Sequence, residues 1–140
     1  MTDNIDYQQM TAPCGLPCFE CILYKASTDP EIRNMVTEKH GIPYEKAACR
    51  GCRNEKGNVP INPMTCGLYP CAEEKGISFC FECDDFPCDY LHPYADQAST
   101  KPHNLKLFQL LLIKKMGLEK WAKEKAGSVK ETYFKGKWKL

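Results

Sequence analysis

The stretch from Cys14 to Cys21 reads Cys-Gly-Leu-Pro-Cys-Phe-Glu-Cys, and it opens an array of ten cysteines that ends at Cys88. Three pairs in the array have the Cys-x2-Cys spacing, in which a tight turn directs two thiolates at one metal ion. Two such pairs complete the tetrahedral coordination that zinc accepts in structural sites. The spacing therefore predicts that bound metal ions decide the fold. The predicted ligands are Cys14, Cys18, Cys21, Cys49, Cys52, Cys66, Cys71, Cys80, Cys83 and Cys88.

The composition also indicates a core that needs support from metals. Leu, Ile, Val and Phe together account for only 27 of the 140 residues. A disordered chain would combine that low share with a high net charge, whereas the net charge here is +1. We therefore expect a single domain over residues 1–140. Its parts would be a cysteine-rich body (12–92), a helical segment (104–126) and a basic, aromatic tail (128–140).

The cellular compartment decides what the cysteines are for. The first ten residues, MTDNIDYQQM, lack the basic start and apolar run of a signal peptide. The longest apolar stretch, Leu107 to Ile113, is interrupted by Gln109 and is far shorter than a membrane span. These features predict a cytoplasmic protein without a membrane segment, and in a reducing cytoplasm metal sites are expected before disulfides. The alternative of five disulfides in a secreted chain is disfavoured by the three Cys-x2-Cys pairs.

The expected fold is a small, helix-rich, metal-stabilised α+β zinc-knuckle domain with short strands and a C-terminal amphipathic helix. Asp29-Pro30 has the features of a helix start, and Gly41 is the expected stop after His40. Helical turns are also compatible with 18–26 and 70–75. The alternating segment 77–81 predicts a short strand that leads into a metal knuckle.

The C-terminal helix is the strongest periodic segment. Its predicted core-facing residues have helical spacing, and Gly117 is expected to break the helix. The alternative is an amphipathic helix that binds a partner. The core-facing set is Leu105, Phe108, Leu112 and Met116 with Leu111 beside them, while Lys106, Gln109 and Lys115 are expected to point elsewhere.

The cysteines can be divided among two or three zinc ions in several ways. In chain order, one site would use Cys49, Cys52, Cys66 and Cys71. A second would use Cys80, Cys83 and Cys88 with His92 as fourth ligand, although Pro93 disfavours the helical backbone that would bring His92 there. Interleaved sites are equally allowed, for example Cys18 and Cys21 with Cys80 and Cys83. His40 and His103 have no cysteine close in sequence and are expected to be solvated.

The remaining trio Cys14, Cys18 and Cys21 leaves the iron–sulfur alternative open. Its Cys-x3-Cys-x2-Cys spacing is the one that radical S-adenosylmethionine enzymes use for a [4Fe–4S] cluster. Glu20 stands where those enzymes usually have an aromatic residue, and 140 residues cannot form their large partial barrel. The alternative function is an iron–sulfur redox protein or a metal-dependent enzyme. No catalytic residues are predicted, and the acidic residues Asp84, Asp85 and Asp89 are interpreted as helix-start charges.

Charge separates the body from the tail. Residues 1–100 hold 8 basic and 15 acidic residues, whereas residues 101–140 hold 11 lysines and 3 glutamates. We therefore expect a zinc-binding protein with mainly structural metals that presents a basic surface to a protein or nucleic-acid partner. The alternative for this tail is a solvated end strand or a frayed terminus. The tail residues in question are Lys130, Lys135, Lys137, Lys139, Tyr133, Phe134 and Trp138.

Several of these motifs occur together in a known family. The array of Cys14-Gly15-Leu16 with Cys18 and Cys21, the middle cysteines, and the closing Phe86-Pro87-Cys88 resembles the prokaryotic cysteine-rich family known as domain of unknown function 3795. The resemblance covers about residues 12–91, and residues 116–121 are similar to the last helix of that family. It implies a small zinc-binding protein with no established activity. It supports metal at the ten cysteines and does not support His92 as a ligand.

Overall fold

The computed structural model describes residues 4–58 and 66–137, and helices dominate both ranges. The α-helices are α1 (Ile22–Ala26), α2 (Pro30–His40), α3 (Leu68–Lys75), α4 (Lys106–Met116), α5 (Leu118–Glu124) and α6 (Ala126–Lys135). Short 3₁₀ helices cover Cys18–Glu20, Tyr44–Lys46, Cys80–Glu82, Asp89–Leu91, Ala95–Gln97 and Pro102–Leu105. The only β feature within these two ranges is an isolated bridge between Thr11 and Pro17.

The prediction of an α+β fold with short strands is therefore wrong, and segment 77–81 shows why. The Glu82 carboxylate accepts hydrogen bonds from the backbone N–H groups of Ser78 at 3.1 Å and Phe79 at 2.7 Å. These donors would otherwise need a neighbouring strand. The alternating pattern serves local packing instead, because the rings of Phe79 and Phe81 stack with centroids 5.6 Å apart. A capped 3₁₀ turn replaces the strand.

The predicted start and end of the second helix are confirmed. The Asp29 carboxylate accepts from the backbone N–H of Glu31 at 3.0 Å and from that of Ile32 at 3.4 Å. These bonds satisfy donors that have no partner inside a helix. Gly41 ends the helix in the left-handed conformation, with φ of 66°. Local sequence signals are sufficient to define this element.

The predicted break at Gly117 is confirmed, and the predicted inner face is confirmed in part, because Leu105 is buried and Leu112 and Met116 pack partly against the core. The rest of the prediction is wrong. Gln109, Leu110 and Ile113 are buried, while Phe108 and Leu111 are 52% and 46% exposed. Gln109 can occupy the core because its Oε1 accepts a hydrogen bond at 2.7 Å from Nε1 of the fully buried Trp121. This bond offsets part of the penalty for burying an amide, and Nε2 of Gln109 has no partner among the described residues. A polar residue in the sequence thus marks the buried face.

The start of the basic tail forms helix α6, so segment 128–135 is neither a strand nor a frayed end. Lys130 Nζ donates a hydrogen bond to the backbone oxygen of Glu20 at 2.9 Å, which joins α6 to the first cysteine-rich turn. Lys135 pairs with Glu131 at 3.6 Å. Lys137 is exposed, and the predicted tail residues Trp138 and Lys139 lie outside the described residues.

The cysteine-rich body and the C-terminal helices share one apolar cluster. The Phe19 ring meets the Trp121 ring edge-on, with centroids 6.0 Å apart. Gly15, with φ of +89°, lies so close to α4 that an added Cβ would be 2.9 Å from Leu110 Cγ and 3.1 Å from the Lys106 carbonyl oxygen. The loop that carries Cys14 is therefore packed directly against α4. Among the helices described, none combines the length and the apolar character needed to cross a membrane.

Candidate metal centres

Four cysteines from different segments line one pocket near the surface. Cys71 lies on α3, Cys80 and Cys83 lie at the two ends of a 3₁₀ turn, and Cys88 lies in the loop that follows. The pocket has a volume of about 490 Å³, and its walls include Leu68, Ile77 and Phe86. We call Cys71, Cys80, Cys83 and Cys88 the C-terminal cysteine group.

Positive charge and a backbone donor face this group. Lys75 Nζ lies 3.0 Å from Cys83 Sγ and 3.5 Å from the Asp85 carboxylate. The backbone N–H of Asp85 donates to the same Cys83 sulfur at 3.4 Å. The hydrogen bond from Lys75 is the main cause that lowers the pKa of Cys83 below its ordinary value. These contacts favour the thiolate form at Cys83, which is the form that binds metals.

The other six cysteines form the N-terminal cysteine group, with Cys18 at its centre. Cys18 and Cys52 share a hydrogen bond between their sulfur atoms, and the Cys52 backbone N–H donates to Cys18 Sγ at 3.4 Å. Cys49 lies within electrostatic range of Cys18 and Cys21, and the Gly51 N–H donates to its sulfur at 3.4 Å. The charge of Cys14 interacts with those of Cys18 and Cys66. The members are Cys14, Cys18, Cys21, Cys49, Cys52 and Cys66.

Three members of this group are buried, whereas Cys80 is the one buried cysteine of the C-terminal group, where burial raises its pKa to about 12. Cys14, Cys18 and Cys49 are each less than a tenth exposed, whereas Cys88 is exposed. Loss of contact with water raises the pKa of Cys14 and of Cys49 to about 11. In the Cys18–Cys52 pair, the shared hydrogen bond lowers the pKa of Cys18 to about 7 and raises that of Cys52. Cys18 is thus the acceptor and Cys52 the proton donor of this pair.

Arg53 connects the two groups. Its Nε donates to the Thr11 carbonyl oxygen at 2.7 Å, and its terminal nitrogen donates to the Ser78 carbonyl oxygen. The guanidinium also lies over the Phe79 ring, 5.2 Å from its centroid. Desolvation lowers the pKa of Arg53, while the neighbouring thiols Cys18, Cys14 and Cys52 act in the opposite direction. The cation therefore balances negative charge between the two groups.

The same four residues, Cys-Phe-Glu-Cys, form the turn in both groups, at 18–21 and at 80–83. In each, a 3₁₀ helix begins at the first cysteine, and the backbone N–H of the last cysteine bonds to the carbonyl oxygen of the first, at 3.0 and 3.1 Å. From their spacing alone, segments 18–21 and 80–83 were interpreted only as Cys-x2-Cys pairs. The identical inner residues were the signal that could have identified a repeated structural unit.

The grouping differs from chain order, because Cys71 lies with the C-terminal group instead of with Cys49, Cys52 and Cys66. Cys18 and Cys21 also lie apart from the pocket that Cys80 and Cys83 line. In the two ranges that the structure describes, no three Cys, His, Asp or Glu side chains are already arranged to hold a metal ion.

The histidines lie away from the pocket. His92 is exposed, its Nδ1 lies 2.7 Å from the Pro93 carbonyl oxygen, and it is not among the pocket residues. His40 is exposed at the end of α2, as expected for a solvated side chain. The same expectation for His103 is wrong, because His103 is partly buried and burial lowers its pKa to about 4. Of the acidic residues, Asp89 does begin a 3₁₀ helix, whereas Asp85 pairs with Lys75.

Comparison with protein families agrees with the cysteine pattern. A model of the family described as protein of unknown function (DUF3795) matches residues 10–93, which contain all ten cysteines. The chain belongs to the DUF3795 family. The matched region of this DUF3795 protein ends before α4, so both cysteine groups lie inside it and helices α4–α6 lie outside. No curated protein and no solved structure matched the chain significantly.

Proposed function

We propose that this DUF3795 protein binds two zinc ions, each held by four thiolates, and that the metals are structural. One ion is bound by the C-terminal cysteine group. The other is bound by the two Cys-x2-Cys pairs of the N-terminal group, and Cys14 and Cys66 remain as thiols. The proposed N-terminal ligands are Cys18, Cys21, Cys49 and Cys52.

The observation that carries the proposal is the convergence of Cys71, Cys80, Cys83 and Cys88 on one pocket from three separate segments. Zinc accepts an all-sulfur tetrahedral donor set, and bound zinc requires its cysteines to lose their protons. Lys75 and the Asp85 N–H already favour the thiolate at Cys83. Binding requires the thiols to close around the ion.

The N-terminal site is supported by its two knuckle turns. A 3₁₀ turn joins Cys18 to Cys21, and the Gly51 N–H bonds to the Cys49 sulfur within the second pair. Backbone N–H groups that donate to metal-bound sulfur are outer-shell contacts that stabilise the ligand charge and orient the ligand. The hydrogen bond between Cys18 and Cys52 and the electrostatic interaction between Cys49 and Cys21 support one site for both pairs.

A structural role follows from the energetics. Structural zinc contributes about 10–16 kcal/mol in small peptides at neutral pH. Typical net stabilities of whole domains are only about 5–15 kcal/mol. A reducing, cytoplasmic environment would keep the free thiols Cys14 and Cys66 reduced.

The second candidate is an iron–sulfur protein, which the four-thiol pocket would also suit, because cysteine thiolates ligate such clusters.

The test is metal analysis of untagged protein purified without oxygen, together with visible absorbance. We expect two zinc ions per chain. We expect no absorbance at about 400 nm, because Zn²⁺ has a filled d shell and does not absorb visible light. Cys83→Ser and Cys49→Ser should each remove one ion. Cys66→Ser is the matched control and should retain both. Iron with matching sulfide would reject zinc, and three zinc ions per chain would reject the two-site assignment.

A further inference from the structure

Helix α4 carries an apolar face that no described part of the chain covers. Phe108 and Leu111 are 52% and 46% exposed, and Leu112 is partly exposed. Residues three, four and seven positions apart share one side of a helix, so these side chains lie in a stripe with Lys115. Phe108 and Leu111 belong to the side that the spacing predicts to face the core, yet both are exposed, whereas Leu112 packs partly against the core at the edge of the stripe.

The opposite side of α4 already fills the core. Leu110 and Gln109 are fully buried there, and Ile113 is 4% exposed. A helix that is apolar on more than one side is normally enclosed on more than one side. Contiguous exposed apolar residues with a polar rim are typical of interaction surfaces. The second apolar face of α4 therefore needs a partner outside the described chain.

The charge around the stripe indicates the chemistry of that partner. Helix α4 contains no Asp or Glu, and the lysines at its end, Lys114 and Lys115, are exposed. Neither forms an ion pair with any carboxylate in the described ranges. Residues 101–140 as a whole hold 11 lysines and only 3 glutamates. An acidic partner complements this surface, and the exposed leucines favour protein over nucleic acid because an aliphatic chain has no face for base stacking.

We propose that the stripe formed by Phe108, Leu111, Leu112 and Lys115, with Lys114 at its edge, binds an acidic amphipathic helix of another protein. The apolar side of that helix packs on Phe108 and Leu111, and its carboxylates meet Lys114 and Lys115. Two helices packed in this way bring their axes about 8–10 Å apart. This interaction does not depend on which metal the cysteines bind.

The test is selection from a displayed library of 16-residue helical peptides in which charge and apolar spacing vary independently. The bait is the full-length, metal-replete protein. Enriched peptides should be acidic, with apolar residues at helical spacing. Phe108→Ser/Leu111→Ser should weaken a selected peptide about tenfold or more, as for central interface residues. Met35→Ser removes a similarly exposed residue (44%) on α2 and is the matched control.

Charge reversal distinguishes the proposed partner from other occupants. Lys114→Glu/Lys115→Glu should shift the selection from acidic to basic peptides. Selection of neutral or basic peptides by the unaltered protein, or no enrichment over Phe108→Ser/Leu111→Ser, would overturn the proposal. Self-association of the protein that is abolished in Phe108→Ser/Leu111→Ser would also overturn it. Binding of a 12-nucleotide single-stranded DNA through the same residues, with no peptide selected, would do so as well. Circular dichroism of each variant confirms that it is folded.

Discussion

The two cysteine groups use the same Cys-Phe-Glu-Cys turn in different surroundings, although residues of both turns belong to one apolar cluster. In the N-terminal group the turn is part of the core, where Phe19 packs on Trp121 and Lys130 from α6 bonds to the Glu20 carbonyl oxygen. In the C-terminal group the turn borders an open pocket, and the Glu82 side chain bonds only to its own segment. The first turn thus contacts α5 and α6, whereas the second contacts α4 and bonds to the N-terminal segment through the Cys80 N–H and the Pro13 carbonyl oxygen, 2.9 Å apart.

The turn itself sets the positions of two thiols. The residues packed around the turn determine which parts of the fold change when those thiols lose their metal. Loss of metal from the N-terminal group would disturb contacts that reach α5 and α6. Loss from the C-terminal group would disturb the pocket residues, α3 and the contact of the second turn with α4. The following experiments test that contrast.

The largest effect is expected from removing a proposed ligand of the N-terminal group. Cys52→Ser should remove the N-terminal metal and unfold the middle of the chain, because structural zinc contributes about as much free energy as a whole domain has available. Cys88→Ser, in the exposed position, should leave the contacts of Trp121 intact. Thermal melts followed by circular dichroism and by tryptophan fluorescence measure both. Equal loss of helix in the two variants would contradict a larger structural role for the N-terminal group.

Two glycines that precede the turns give a matched pair of backbone variants. Gly15 and Gly76 both have positive φ, but only Gly15 has neighbours within 4 Å of an added Cβ. Gly76→Ala should cost about 1 kcal/mol from backbone strain alone. Gly15→Ala should cost about 2–4 kcal/mol, because crowding against Leu110 and the Lys106 carbonyl adds to the strain. Denaturant unfolding measures both values, and equal costs would contradict the close packing of the first turn on α4.

The order of metal release sharpens the comparison further. A chromogenic zinc chelator should take one ion at least about tenfold faster than the other, because the C-terminal group opens to solvent. Cys83→Ser should abolish the fast phase and keep the slow one. A single phase for both ions, or loss of the slow phase in Cys83→Ser, would show that exposure does not govern release.

The smallest expected effect is the loss of stability in acid that comes from His103, which lies just before α4 and outside the two cysteine groups. Burial, with Lys106 and Lys101 nearby, lowers the pKa of His103 from 6.5 to about 4. The unfolded chain therefore takes up a proton that the folded chain does not, and stability falls as the pH drops from about 6.5 to about 4. The expected loss is about 1–3 kcal/mol. His103→Gln should remove that part of the pH dependence, since acid affects the cysteines of both proteins alike. If the free energy of unfolding of His103→Gln fell with decreasing pH as steeply as that of the unaltered protein, this role for His103 would be contradicted.

Local signals in the sequence predicted much of the fold and part of the site. The Asp29 cap, the Gly41 stop and the Gly117 break depend on neighbouring residues, and all three are confirmed. The strand at 77–81 was wrong because alternation does not distinguish a strand from a turn capped by a nearby side chain, and the burial of Gln109 on α4 was missed because its partner lies on another helix. Nothing in the local pattern indicates that Glu82 caps its own turn or that Trp121 bonds to Gln109.

The grouping of the cysteines was beyond sequence analysis for the same reason. Spacing gives the pairs within a turn, but Cys71 reaches Cys80 only through the packing of α3 beside the second turn. Membership of the DUF3795 family was apparent from Cys14-Gly15-Leu16 and Phe86-Pro87-Cys88, since those residues form a fixed local motif.

X-ray absorption at the zinc edge, on protein purified without oxygen, tests the central claim most directly. The account predicts two zinc ions per chain, each with four sulfur atoms at about 2.3 Å and no nitrogen or oxygen neighbours. Cys83→Ser should leave one ion with the same four-sulfur shell. A shell that contains nitrogen or oxygen in the unaltered protein, or iron in place of zinc, would contradict the assignment of the two four-thiolate sites.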